Sequence, residues 1–260
     1  MKYCQSIWIL AASTFLCSAA DVSATPEVAQ RAVLAQFAKL SIGNELQSTE
    51  GKRIRHGEAI SWAFPGAGSV VFDKVIQVAP DQSVARLPAS DAGPDRYLFL
   101  ARVGGEWKIV AGRSLALTGL LAMLKSEFEK LPNRSIQQEA TLRNARLTLS
   151  SDQYLSEWFN SHHDELDDLR KAFVKSATTS WRNDMPGLEG GATSSKLTEL
   201  GLLSVFRNEA GHIQVTIGGM VDNEVGFMFV EADAKPPAIS SSRYIWVEPL
   251  SGGWYYYKTT

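Results

Sequence analysis

Arg96-Tyr97-Leu98-Phe99-Leu100, six further residues, then Trp107-Lys108-Ile109-Val110: this stretch decides the reading of the fold, because a close counterpart ends the chain. The counterpart is Arg243-Tyr244-Ile245-Trp246-Val247, six residues, then Trp254-Tyr255-Tyr256-Tyr257. Each copy is a β-rich run, a Gly-containing turn and a return run that starts at Trp, which is the pattern of a β-hairpin. An isolated hairpin is only marginally stable in water, so each copy is expected to close a larger sheet. The fold class expected is therefore α+β, with two tandem halves, each an antiparallel sheet packed on helices.

The first residues stand outside that plan. Lys2, the apolar run Ile7 to Cys17, and Val22-Ser23-Ala24 follow the order of a cleaved export signal, assigned to residues 1–24. The run is too short to span a membrane. Leu16 before Cys17 argues against the lipoprotein alternative, in which a small residue precedes the cysteine. Both cysteines, Cys4 and Cys17, leave with the signal, so the mature chain has no disulfide, thiolate or cysteine metal site. No later apolar run reaches spanning length. A formal net charge of −2 without a basic stripe gives no reason to expect nucleic acid. The expected location is the periplasm or the cell exterior.

Between signal and hairpins the chain divides at Pro132-Asn133 into an N-terminal domain, 25–131, and a C-terminal domain, 135–260. Thr25-Pro26-Glu27 is a helix start, and Ala29, Val33, Phe37 and Leu40 give that helix one apolar face. Ile60, Trp62 and Phe64 alternate as in a strand, and Ser69 to Val78 is rich in β-branched residues. Leu115 to Leu131 reads as a helix. Ser135 to Leu149 fits helix or strand. Ser150 with Gln153 forms a capping box opening a helix that runs to about Val174, and 176–195 is an irregular loop. Ile213 to Val230 is strand-rich.

Several constellations invite chemistry. Gly112-Arg113-Ser114-Leu115-Ala116 superficially matches a nucleophile elbow, but an elbow needs a parallel sheet, so Ser114 reads as a helix N-cap. His162 and His163 are adjacent and diverge by roughly 100° on a helix, so they do not share one metal ion. His162 is expected to be buried, and His163, Glu165, Asp167 and Asp168 to be wet. Lys52, Arg53 and Arg55 beside His56 form a basic cluster read as a solvated loop. Asn133-Arg134-Ser135 is formally a glycosylation sequon, relevant only in a eukaryotic secretory pathway. No catalytic set is complete, and no metal or cofactor is expected. The candidate that remains is aromatic: if one face of the last sheet is open, Tyr244, Trp246, Tyr255 and Tyr257 form a binding surface.

The ending Gly105-Glu106-Trp107-Lys108-Ile109-Val110 resembles the last hairpin of NTF2-like domains. That resemblance implies a curved antiparallel sheet wrapped on helices with a pocket between them, and no particular activity. The long helix after the hairpin departs from it, and no Asp-Tyr pair can be placed as an isomerase-type site. Gly218-Gly219-Met220-Val221-Asp222-Asn223 and Gly253-Trp254-Tyr255 look like uncharacterised bacterial exported proteins. The function expected is an exported, non-catalytic binding or interaction module for an unknown protein or small molecule. The alternatives are an enzyme with an NTF2-type pocket for a small apolar or carbohydrate-like substrate, and a periplasmic inhibitor or immunity-type protein.

Overall fold

The computed structural model describes residues 73–89, 94–116, 118–176, 178–182, 192–220 and 223–260. The expected export signal, the helix expected from Thr25, the basic cluster with His56 and the expected alternation at Ile60 to Phe64 lie outside them.

Four strands open the described chain: β1 (Lys74–Ala79), β2 (Gln82–Leu87), β3 (Arg96–Val103) and β4 (Glu106–Ser114). They form an antiparallel meander in sequence order. Four helices follow: α1 (Thr118–Glu129), α2 (Ile136–Thr148), α3 (Asp152–Ser161) and α4 (His163–Lys175). After β5 (Ser180–Arg182) and α5 (Ala192–Leu200) come β6 (Ser204–Arg207), β7 (Ile213–Met220), β8 (Asn223–Phe229), β9 (Tyr244–Pro249) and β10 (Trp254–Thr259). These strands make a six-stranded antiparallel sheet in the order β5-β6-β7-β8-β10-β9. The fold is α+β. No described helix is long and apolar enough to cross a membrane.

Both hairpins form, and they share a turn. Gly104 and Gly105 have φ of 64° and 86°, and Gly252 and Gly253 have 65° and 84°. Paired positive φ angles are the requirement of a type I′ turn, whose twist suits the flanking strands and which glycine meets without a Cβ clash. Their seats differ. In the first sheet the return strand β4 is the edge; in the second the outgoing strand β9 is the edge and β10 lies inside. Glu106 directly follows the first glycine pair, whereas Trp254 directly follows the second, so the two Trp residues fall on different faces. Trp254 enters the central core, while Trp107 pairs with Arg102 on the far face of its sheet. The Tyr–Trp spacing therefore matches residues in unlike positions, and the structure does not bear out a duplication read from it.

The central core is continuous across both sheets. Val84, Tyr97 and Phe99 from the first sheet and Leu115 just after it pack in one cluster with Leu147, Leu155, Phe159, Leu166, Leu169 and Phe173 from the helices. Val215, Phe227, Ile245, Trp246, Trp254 and Tyr256 complete it from the second sheet.

Local capping explains where the helices differ from expectation. Ser135 and Gln138 form a reciprocal capping box that resolves the ambiguous 135–149 stretch as α2. Because α2 continues to Thr148, Ser150 belongs to its end: the Ser150 hydroxyl donates to the Arg146 carbonyl at 2.7 Å. The cap of α3 is Ser151, whose Oγ accepts from Tyr154 N at 3.2 Å, one residue beyond the expected Ser150. The expected long helix also breaks at His162, whose φ of −124° and ψ of 18° are not helical. Ser114 ends β4 rather than capping a helix, since α1 begins only at Thr118.

Candidate functional site

Among the described residues a dense group of ionisable side chains lies where the two sheets meet, and its centre is Asp152. As the first residue of α3, Asp152 sits at the positive end of the helix dipole, where a carboxylate is favoured. Lys258 reaches it from β10. In a strand, residues two apart share a face, so Trp254, Tyr256 and Lys258 all point into the core. Tyr97 of β3 and Arg86 of β2 come from the first sheet by the same alternation. Asp152 and Lys258 are both 0% exposed.

The donors of this group converge on carboxylates. Lys258 Nζ donates to Asp152 Oδ1 at 2.7 Å and Tyr256 OH to the same oxygen at 2.7 Å. Tyr97 OH lies 2.9 and 2.8 Å from the two carboxylate oxygens, and Arg86 approaches Oδ2 at 3.4 Å. Arg86 also holds Asp73 at 2.6 Å and Glu248 at 3.1 Å. Glu248 in turn accepts from Lys74 at 2.6 Å and from the Trp246 indole at 2.9 Å. The Asp152 backbone N–H donates to Asp95 Oδ2, and Asp95 Oδ1 accepts from Ala89 N, both at 3.0 Å. Tyr97 stacks on Trp246 with ring centroids 5.0 Å apart.

The electrostatics follow from burial and neighbours. Burial alone would raise the Asp152 pKa, but Lys258, Tyr256 and Tyr97 together hold it below the usual aspartate range. Asp95 moves the other way: burial first, then the negative charge of Asp152, push its carboxyl up. Burial, then Asp152, raise the phenols of Tyr97 and Tyr256 well above their ordinary value, so both remain donors. Chemically the arrangement is a filled ion cage. General acid–base work needs a group within reach of a substrate proton. Here both carboxylate oxygens of Asp152 are engaged by protein donors and the residue is enclosed.

The expected aromatic surface is corrected by burial. Trp246 lies in the central core, while Tyr244 and Tyr257 pack against each other on the opposite face of the second sheet. Met228, Val230 and Val247 complete that second cluster, with Ile239 of the following loop against it, and Tyr255 is half-buried beside it. Thr216 bonds the Tyr257 hydroxyl at 3.2 Å, and Gln214 donates to the Tyr244 hydroxyl at 3.2 Å. The face is therefore a small second core, against which Ile239 and Tyr255 pack.

His162 stacks on Trp158 at 4.2 Å and its Nδ1 lies 2.8 Å from the Trp158 carbonyl. It is only partly buried, because the break between α3 and α4 lifts it off the apolar stripe. His163 lies edge-on to Phe159 and 3.2 Å from Asp164. Asp167 pairs with Arg170 and Lys171 on the outer face of α4. Arg113, in the elbow-like stretch, donates to the Ser241 carbonyl at 2.7 Å. Among the described residues, no three His, Cys, Asp or Glu side chains are grouped as for a metal ion. An open groove of about 210 Å³ runs between α2 and residues 201–203. Its Asn144 amide is already engaged by the carbonyls of Gly201 and Ile217.

None of Arg86, Asp95 or Asp152 stood out in sequence. The signal that could have found them is Lys258, a lysine on the same strand face as Trp254 and Tyr256, which demands a buried acid. Comparison with protein-family models, with curated proteins and with solved structures finds no match.

Proposed function

We propose that the chain is an exported, non-catalytic binding or interaction module. The observation that carries this reading is the closed state of the Asp152 cage. The residue types that would serve as acid, base and electrostatic stabiliser are engaged with one another and sealed between the sheets. Export rests on the order of Lys2, Ile7 to Cys17 and Val22-Ser23-Ala24.

With the aromatic face buried, the interaction surface moves to the corner of α1 and α2. Met123 is 59% exposed and Ile136 84%, and Leu120 and Leu131 are exposed beside them in sequence. Charges around this corner pair with one another: Lys130 with Glu127, Arg146 with Glu129, and Arg134 with Glu139. Among the described residues the charges of this rim are paired, which favours an apolar protein surface over a phosphate-bearing ligand. The test compares wild type with Leu120→Glu/Met123→Glu as baits in extract from the exporting compartment. A protein captured by wild type and lost from the variant supports the proposal. Capture by both alike, or by neither, counts against it, and concentration-dependent self-association of wild type alone would identify a second copy as the partner.

A further inference from the structure

The groove beside α2 has walls that are fixed in place. Gln137, Ala140, Thr141 and Asn144 recur at three and four residues, so they share one face of the helix. That face and the segment from Gly201 to Leu203, between α5 and β6, enclose about 210 Å³. Asn144 Nδ2 ties the two walls together, donating to the Gly201 carbonyl at 2.9 Å and to the Ile217 carbonyl of β7. Arg143 donates to Thr198 and Glu199, the last carbonyls of α5. Gly201 turns the chain with φ of 72°, and a Cβ on it would stand 2.9 Å from the Arg143 stem. Gly218 likewise lets Asn144 and Thr148 approach β7.

What the groove offers a ligand is neutral. Among the described residues its lining carries no charged side chain, and the nearby guanidinium of Arg143 is turned to carbonyls. The N–H groups of Gly201, Leu202 and Leu203 already donate to Thr198, Leu197 and Thr216. A peptide adding to this segment as a strand would find no N–H to pair with. Recognition therefore falls to side chains. The exposed Gln137 amide both donates and accepts. Thr141 gives its proton to the Gln137 carbonyl at 2.8 Å and keeps acceptor lone pairs one turn along the helix. Ala140, Leu202 and half-buried Leu203 supply the apolar part of the lining.

We propose that this groove binds a neutral polyhydroxylated ring, a single sugar unit. Its hydroxyls meet Gln137 and Thr141, and its C–H face lies on Leu203. A charged ligand would lose water without gaining a counter-charge, and a wholly apolar one would leave Gln137 and Thr141 unpaired. The volume is below the roughly 300–1,000 Å³ of pockets for drug-sized ligands, which suits one ring rather than an oligomer. The site is separate from the protein-binding corner proposed above, since neither Leu120 nor Met123 lines it.

Amide chemical shifts of the full chain, titrated with D-glucose, D-galactose and N-acetyl-D-glucosamine, test the proposal, with glycerol as an acyclic control. The expected result is saturable shifts at Thr141, Leu202 and Leu203 with at least one of the three sugars, and none with glycerol. A Kd of about 1 mM is expected for a ligand of this size. Gln137→Leu/Thr141→Val should weaken that binding by about tenfold or more. The Tyr244 and Tyr257 amides, on the far face of the second sheet, report whether the variant still folds. Should it not, Leu203→Ala takes its place, and it should weaken binding by removing the apolar contact. No saturation by any of the three sugars, equal shifts with glycerol, or variants that bind like wild type overturn the proposal.

Discussion

The two hairpins differ in what they bury although they turn alike. β3–β4 sends its tyrosine, Tyr97, inward to the ion cage and its tryptophan, Trp107, to the far face. β9–β10 does the reverse: Trp254 enters the core and Tyr244 lies outside it in the smaller cluster. A one-residue offset between turn and tryptophan is enough, because a shift of one residue in a strand exchanges its faces. Type I′ geometry fixes the turn and leaves the seating to whatever each face meets. For the first hairpin that is an aspartate at a helix start, and for the second a layer of helices.

The largest effect is expected where the hairpins meet. Asp152→Ala strands Lys258 in the core and should cost about 3–5 kcal/mol, the usual penalty for an uncompensated buried charge. Urea unfolding measures it. The cage also sets an acid limb. Asp152 titrates below its unfolded value of about 4, so its stabilisation is fully present above that pH and is lost as pH falls through the native pKa. Asp95, whose native pKa is raised, acts oppositely: its cost appears as pH rises from about 4 through the native value. The gap between wild type and Asp152→Asn should therefore narrow below about pH 4. A gap that stays constant from pH 7 to pH 3 would remove Asp152 from the account.

Trp254→Ala tests the seating of the second hairpin and should cost about 3–5 kcal/mol. Tyr257→Ala on the opposite face should also be costly, since its ring is fully buried and its hydroxyl is bonded to Thr216. Equal stability of wild type and Tyr257→Ala in thermal melts would restore an open aromatic face. Removing one hydroxyl from the cage, as Tyr97→Phe or Tyr256→Phe, should cost about 1.5–3 kcal/mol, the range for a hydrogen bond to a charged group. The smallest effect lies in the helices: Ser151→Ala should cost about 1 kcal/mol. Ser150→Ala should stay within about 0.5 kcal/mol. The opposite ranking would move the start of α3.

Strand periodicity and turn chemistry made the two hairpins legible, but not which face of β10 meets the core. Two competing serines obscured the α3 start: Ser150 and Ser151 both stand before the apolar stripe, and only the end of α2 decides between them. The His162 break was hidden because the apolar spacing continues through it. The cage was harder still. Arg86, Asp95, Tyr97, Asp152 and Lys258 are scattered over most of the chain, and only folding brings them together. Burial of Tyr244 and Tyr257 depended on where the loop before β9 lies, which strand alternation does not specify.

The central claim is that the cage joins two unlike sheets into one cooperative unit. Native-state hydrogen exchange tests it most directly, by comparing amides in β2 and β3 with those in β8 and β10 in wild type and in Asp152→Asn. The expected result is one common opening free energy for both sheets, lowered equally in the variant. If the first sheet opens at a lower free energy than the second, or the variant loosens only one of them, the two sheets are separate units and the claim is wrong.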